Sequence, residues 1–258
     1  MSGQAESRAD GYWGGYLAGY ALLSYFVISR LNTFRDPLLR DELVRQIHVA
    51  GIAALPVIAV LAAITGATTV TQVGALVGQD NDLTQRLLFF GLFYEMAPLL
   101  TGLVIVARSS AAIASELAVM QVHDEFTALR RMGVPAATYL LLPRVVALAL
   151  VLPLATIVFQ AIAVVSGWLA VVLLQGGQLQ DIAGRFLDAA SPAMALLSLL
   201  KSATMGLTVG VVATYHGSQS GRNTQAISAT AMLAVGSGLV TLFLVDIAFA
   251  VLAYFFRS

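Results

Sequence analysis

Long uncharged stretches alternate with short charged segments along this chain of 258 residues. A membrane-spanning helix needs roughly 20 mostly apolar residues, and five stretches reach that length. Three of them carry no charge until near their ends, and two contain isolated ionisable residues. The pattern therefore predicts an all-α polytopic membrane protein with five transmembrane helices, at residues 49–79, 87–120, 145–180, 193–215 and 223–245, the last continuing past Asp246 to residue 256.

Residues 11–29 are also uncharged, but they are rich in glycine and aromatic side chains. Tyrosine recurs there at every fourth residue, which places one aromatic stripe on a helix and suits the headgroup region of a bilayer. We expect an N-terminal interfacial helix, and a sixth span is the alternative. Residues 1–48 then form a cytoplasmic N-terminus, and residues 49–258 form one transmembrane domain. The tyrosines of the stripe are Tyr12, Tyr16 and Tyr20.

Arginines are distributed unequally between the two sides of the predicted spans. Eight lie in residues 30–48, next to the first span, and in the loops on that side, against three on the other. Cytoplasmic loops carry the excess of basic residues, so the N-terminus is expected in the cytoplasm and the C-terminus outside. The eight are Arg30, Arg35, Arg40, Arg45, Arg130, Arg131, Arg144 and Arg222.

Composition excludes several classes of protein. Hydrophobic residues make up 59% of the chain and charged residues 11%, whereas soluble domains average about 25% charged. The net charge is zero and cysteine is absent, so nucleic-acid binding, disulfides and thiolate metal sites are not expected. The chain also has no phosphate-binding G-x-x-x-x-G-K-[ST] loop and no H-E-x-x-H zinc motif. No catalytic residue, cofactor or metal is therefore predicted within this chain.

Two charges within predicted spans suggest a binding cavity. Glu95 stands one turn before Pro98, which removes a backbone donor and tends to kink a helix. A carboxylate at such a bend can line a water-filled cavity, and the alternative is that it snorkels to the outer interface. Lys201 has no acidic residue in its own span. Its partner must come from another helix, unless it too snorkels to an interface.

Arg108 and Glu116 are eight residues apart, which places them two turns apart on one helix face. We expect them to pair with polar groups of a neighbouring helix. Glycines spaced at i, i+4, such as Gly206 and Gly210, allow two helices to approach closely. That spacing fits packing within the chain or the seam of a dimer.

Between the second and third spans the sequence predicts a short cytoplasmic helix near residues 123–133. Its ends are marked by acidic residues in the first turn, basic residues in the last turn, and a glycine that can adopt the left-handed C-cap. Apolar residues fall on one face, so the helix either lies on the membrane or docks another protein. The residues concerned are Asp124, Glu125, Phe126, Leu129, Arg130, Arg131, Met132 and Gly133.

Four motifs follow one another in the middle of the chain: Glu95-Met-Ala-Pro98, Ala107-Arg108-Ser-Ser-Ala-Ala-Ile-Ala-Ser-Glu116, Asp124-Glu125-Phe-Thr-Ala-Leu129-Arg-Arg-Met-Gly133 and Leu142-Pro143-Arg144. In this order and spacing they resemble the MlaE-type (YrbE-type) permease family of lipid-transporting ABC systems, which work with MCE-domain proteins. Lys201-Ser202 and Asp246 also match in place, and where the family often has a basic residue before the glutamate of span two, this chain has Tyr94. The resemblance covers roughly residues 45–250.

The resemblance implies a homodimeric permease subunit in a bacterial inner membrane. A cytoplasmic ATPase pair, which itself binds ATP and Mg²⁺, would dock at the segment 123–133. An MCE-domain oligomer would lie on the outer side, and a small STAS-like subunit is a further expected partner. Phospholipid would enter a cavity between two copies, serving outer-membrane lipid homeostasis. The alternatives are an energy-independent scaffold and a self-powered secondary transporter. The candidate cavity residues are Tyr94, Glu95, Pro98 and Lys201, and those for polar pairing within the membrane are Arg108, Glu116 and Asp246.

Overall fold

The computed structural model describes residues 18–30, 33–34, 36–77, 89–175, 192–221 and 223–255, and in this part of the chain every regular element is helical. Five helices are long and apolar enough to cross a membrane, which confirms the predicted fold class and number of spans. We number them spans 1 to 5 in chain order: Pro37–Val73, Phe90–Val122, Ala137–Leu173, Ala193–Ser218 and Gln225–Ala253.

The helices within these spans are interrupted by short segments of different helical pitch. A 3₁₀ turn, Ile52–Ala54, divides span 1, and π-helical segments begin or interrupt spans 2 and 3 at Phe89–Met96, Val106–Ser110 and Ala137–Leu141. Such π segments occur mostly as single turns and frequently at functional sites. The α-helical parts are Pro37–Gly51, Leu55–Val77, Ala97–Ile105, Ala111–Val122, Leu142–Gln175, Pro192–Ser218 and Gln225–Phe255.

Spans 1 and 3 begin earlier than the uncharged stretches predict. The helix of span 1 begins at Pro37, where the side chain of Asp36 caps the amide of Leu38 at 3.3 Å. Span 3 begins at Ala137, so Arg144 lies inside a helix rather than in the preceding loop. The prediction missed these ends because a charge ends an uncharged window. In span 1 the helix begins with an exposed charged segment that includes Asp41 and Arg45, and in span 3 packing buries Arg144.

The N-terminal helix, Ala18–Ser29, packs on the bundle along one face. Val27 on that face is buried against Leu142 and Val211, and the hydroxyl of Tyr20 lies 2.9 Å from Nε2 of His216. Tyr20 of the predicted stripe therefore contacts span 4. Tyr12 and Tyr16 lie outside the described residues. The opposite face exposes Leu22, Tyr25 and Ile28.

Span 3 occupies the centre of the bundle and packs along spans 1 and 4. A Cβ atom at Gly206 would overlap the carbonyl of Leu148, and one at Gly210 would press on the backbone of Val145. These two glycines let span 4 lie directly against span 3. Of the two alternatives, the structure therefore assigns this glycine pair to packing within one chain.

Candidate functional site

Pro98 leaves backbone carbonyls without their usual donors at the start of span 2. The preceding segment, Phe89–Met96, is π-helical, and Pro98 has no N–H with which to bond the carbonyls one turn before it. In a bilayer such carbonyls must be satisfied by other protein groups. Pro98 thus leaves the backbone carbonyls of Phe93 and Tyr94 free to accept hydrogen bonds from other spans.

Side chains from spans 3 and 4 donate to these carbonyls. Nε2 of Gln160 donates to the Phe93 carbonyl at 3.1 Å, and Oγ of Ser198 donates to the same oxygen at 2.9 Å. Gln160 also donates to Ser198 at 3.0 Å. Sequence reasoning did not identify either residue, although the missing N–H of Pro98 signals that such donors are needed.

Lys201 of span 4 forms ion pairs with two carboxylates from other spans. Its Nζ lies 2.6 Å from Oε2 of Glu95 and 2.8 Å from Oδ1 of Asp246, and it donates a weaker bond to the Tyr94 carbonyl at 3.5 Å. Oδ1 of Asp246 accepts no directed hydrogen bond from a described residue, so its contact with the ammonium is electrostatic. One cation therefore links spans 2, 4 and 5.

Tyr94 closes one side of this group. Nζ of Lys201 lies 4.7 Å from the centre of the Tyr94 ring, within the range of a cation–π interaction. The Tyr94 hydroxyl donates to the Phe249 carbonyl of span 5 at 3.2 Å. We refer to Tyr94, Glu95, Lys201 and Asp246 as the lysine cluster.

The lysine cluster has one accessible edge, and that edge is acidic. Lys201 is completely buried, whereas the side chains of Glu95 and Asp246 remain 28% and 18% exposed. One ammonium against two carboxylates leaves a formal charge of −1. The edge can accept hydrogen bonds from hydroxyl or ammonium groups, and it repels anions.

Burial changes what the predicted cavity residues can contact. Tyr94 and Pro98 are enclosed in the protomer, as is Lys201, so the alternative that Lys201 snorkels to an interface is wrong. Of the four predicted cavity residues, Glu95 alone keeps a partly exposed side chain among the described residues. Asp246, predicted as a pairing residue, belongs to the same cluster.

The two charged residues in the C-terminal half of span 2, Arg108 and Glu116, have different surroundings. Oε2 of Glu116 accepts from Nη2 of Arg144 at 3.1 Å, across to span 3. We call these two residues the arginine pair. Arg144 also donates to the Leu140 carbonyl at 2.7 Å. Arg108 departs from the expectation of pairing, because its side chain lies on the exposed face of span 2.

The short helix between spans 2 and 3 extends over Glu125–Arg131 and is C-capped as predicted. Gly133 adopts φ +76°, its amide donates to the Arg130 carbonyl at 3.1 Å, and the Val134 amide donates to Leu129 at 3.0 Å. These two bonds form a Schellman motif. We call this element the loop helix.

The predicted apolar face of the loop helix is divided by the structure. Phe126 is only 8% exposed and packs into the chain's own core, and Leu129 packs against that core as well. Met132 is 68% exposed. Phe126 is therefore a structural anchor, and the chain's own core contacts part of the face that the sequence predicts for a membrane or a partner protein.

A cavity of about 420 Å³ separates the loop helix from span 1. Its lining mixes apolar and charged groups: Met132 and Leu129 come from the loop-helix side, Arg144 from span 3, and Glu42 and Arg45 from span 1. Glu42 and Arg45 are paired with each other at 2.7 Å. Among the described residues no group of three His, Cys, Asp or Glu side chains could hold a metal ion.

Known proteins resemble this chain over most of its length. The family model described as Permease MlaE matches residues 43–252. A probable ABC transporter permease protein of Rickettsia prowazekii is 26% identical and aligns over 86% of each chain. Protein TRIGALACTOSYLDIACYLGLYCEROL 1, chloroplastic, of Arabidopsis thaliana is 28% identical over 64% of this chain and 46% of its own length.

Proposed function

The chain belongs to the permease MlaE family, and from this premise we propose that it is the membrane subunit of an ABC transporter for phospholipid. It is a transport subunit rather than an enzyme. In this proposal two copies enclose the lipid, a cytoplasmic ATPase pair binds ATP and Mg²⁺, and an MCE-domain oligomer lies on the outer side, with room for a STAS-like subunit. The complex lies in a bacterial inner membrane and serves outer-membrane lipid homeostasis, with the N-terminus cytoplasmic and the C-terminus outside.

The observation that carries this proposal is the lysine cluster. A buried ion triad in a membrane bundle is costly, on the order of 2.5–3.5 kcal/mol per charge on insertion scales. Its carboxylates are oriented so that one edge, at Glu95 and Asp246, stays accessible. An accessible polar edge within an otherwise apolar bundle suits an amphipathic substrate, whose headgroup needs polar contacts while its acyl chains remain in an apolar environment.

The loop helix supports coupling to the ATPase. Phe126 and the Gly133 cap hold it rigidly against the bundle, while Met132 projects beside charged Arg130 and Arg131. An exposed apolar anchor with a charged rim is the usual anatomy of a protein interface. A rigid attachment allows movement of the ATPase to be transmitted to spans 2 and 3.

We expect Met132→Asp to abolish co-purification of the ATPase while the permease still inserts and dimerises, because the change places an unpaired charge at the centre of the contact. Thr224→Asp is the matched control, since it introduces the same charge on the exposed turn between spans 4 and 5. The measurement is subunit stoichiometry after affinity purification from membranes.

Retention of the ATPase by Met132→Asp at the level of Thr224→Asp would contradict docking through the loop helix. Lipid extraction and mass spectrometry of the same wild-type complex tests the substrate. A complex that contains the ATPase but no enriched phospholipid would contradict phospholipid as the substrate.

A further inference from the structure

Arg108 differs from Lys201 and Arg144, two cations that are buried between the spans. Lys201 and Arg144 each contact a carboxylate of another span. Arg108 has no ion pair and no side-chain hydrogen bond within the described part of the chain, and its side chain is exposed on span 2. An arginine stays protonated under all ordinary conditions, so the charge must be met by something outside the protomer.

Arg108 lies near the middle of span 2. It lies 18 residues after Phe90 and 14 before Val122, which correspond to about 27 Å and 21 Å of helix. Both distances exceed half of a hydrocarbon core, which is about 15 Å. Side chains tilt toward the N-terminus of their helix, so that of Arg108 tilts away from the nearer end at Val122. A charge in the middle of a membrane-spanning helix is costly and requires a partner.

The surroundings of Arg108 leave room for a bulky group. It lies within the π segment Val106–Ser110, and its neighbours on the exposed face, Ala107 and Ala112, are small. On one side Oγ of Ser109 donates to the Ala50 carbonyl of span 1 at 3.4 Å. On the other side span 5 approaches closely at Gly238. The exposed face that carries Arg108 therefore lies between the contacts that span 2 makes with spans 1 and 5.

The two carboxylates that span 2 of a second copy carries do not lie at the level of Arg108. In a dimer with its axis along the membrane normal, equivalent residues lie at equal depth. Glu95 is 13 residues from Arg108, and Glu116 is eight residues away in the other direction, distances of about 20 Å and 12 Å. Both are already bound to cations. The ionisable residue that span 2 of a second copy places at this level is Arg108 itself, so pairing between the two copies of this span would bring like charges together.

We propose that Arg108 binds the phosphate of a lipid headgroup on the exposed face of span 2, between its contacts with spans 1 and 5. This inference rests on the proposed function and names the side chain that recognises the phosphate of its phospholipid substrate. A guanidinium binds phosphate oxygens through two parallel hydrogen bonds. The lysine cluster, with its formal charge of −1, disfavours phosphate, so within spans 2 to 5 the described cation left for an anionic group is Arg108.

The test compares two lipids that differ only in the phosphate. Phosphatidic acid and diacylglycerol with identical acyl chains are bound to the purified full complex, and their dissociation constants are measured. Wild type is expected to bind phosphatidic acid about tenfold more tightly. Arg108→Gln should abolish this preference and leave diacylglycerol binding unchanged, whereas Arg108→Lys should keep most of it. Equal preference in wild type and Arg108→Gln would overturn the inference.

A second measurement does not depend on the stability of an Arg108 variant. Because the chain has no cysteine, Ala112→Cys carries a single photoreactive label one turn from Arg108. We expect it to crosslink the glycerol-phosphate region of a phospholipid. Crosslinks to acyl-chain ends alone, or to the second copy, would contradict the proposal.

The outcomes also separate this inference from the proposed function. A wild-type complex that binds neither lipid would contradict the transport of lipid itself. A wild-type complex that binds both lipids equally would leave lipid transport standing and remove the role of Arg108 in phosphate recognition.

Discussion

The lysine cluster and the arginine pair each place a fully enclosed cation between spans, yet they are compensated differently. Lys201 is held by two carboxylates, and the cation is completely buried. Arg144 is held by one carboxylate, Glu116, whose side chain is 45% exposed, and its Nε has no partner among the described residues. The comparison shows that the charge of Lys201 is balanced by two carboxylates with limited exposure, whereas that of Arg144 is balanced by a half-exposed carboxylate and lies beside a cavity.

The largest effect that we expect comes from opening the lysine cluster. Lys201→Met leaves two carboxylates close together without a cation, and removal of one partner from a buried pair costs about 3–5 kcal/mol. Thermal unfolding of the purified permease should show a large loss of stability. The triple change of Lys201→Met, Glu95→Gln and Asp246→Asn removes all three charges and should recover much of it. If Lys201→Met were as stable as wild type, the stabilising role of Lys201 in the lysine cluster would be contradicted.

A smaller effect is expected from Arg144→Met. The half-exposed carboxylate of Glu116 can take up water when its partner is lost. The main cost is the charge-assisted hydrogen bond that Arg144 donates to the Leu140 carbonyl, about 1.5–3 kcal/mol. When thermal unfolding of the two variants is measured under the same conditions, Arg144→Met should be clearly more stable than Lys201→Met. Equal loss of stability in the two variants would contradict the proposed difference between the lysine cluster and the arginine pair.

The smallest effect concerns the C-cap of the loop helix. Gly133→Ala introduces a Cβ at φ +76°, which costs about 1–2 kcal/mol, and no neighbouring atom lies within 4 Å of that Cβ. The cost is therefore conformational and not steric. Hydrogen exchange should show faster opening of the Val134 and Gly133 amides, with the spans unaffected. Exchange that increases throughout the bundle would indicate that this cap supports more than the loop helix.

The residues that the sequence did not predict are those whose role depends on contacts between different spans. Gln160 and Ser198 are ordinary polar residues in apolar segments, and nothing in their spacing joins them to Phe93. Their role arises because Pro98 frees a carbonyl that faces spans 3 and 4. Arg144 was assigned to a loop for a related reason, since a charge next to an apolar run resembles a loop end until its partner is known.

The sequence alone determined the features that depend on local chemistry and on the bilayer. Runs of apolar residues set the number of spans, because only a helix of that length satisfies its backbone in hydrocarbon. Gly133 and its neighbours set the end of the loop helix through backbone geometry. The tertiary structure alone decided which charges meet. Lys201, Glu95 and Asp246 are far apart in sequence, and contact between them depends on the packing of spans 2, 4 and 5. The same packing turned Phe126 inward and left Arg108 facing out, because helical periodicity defines a face but does not specify its partner.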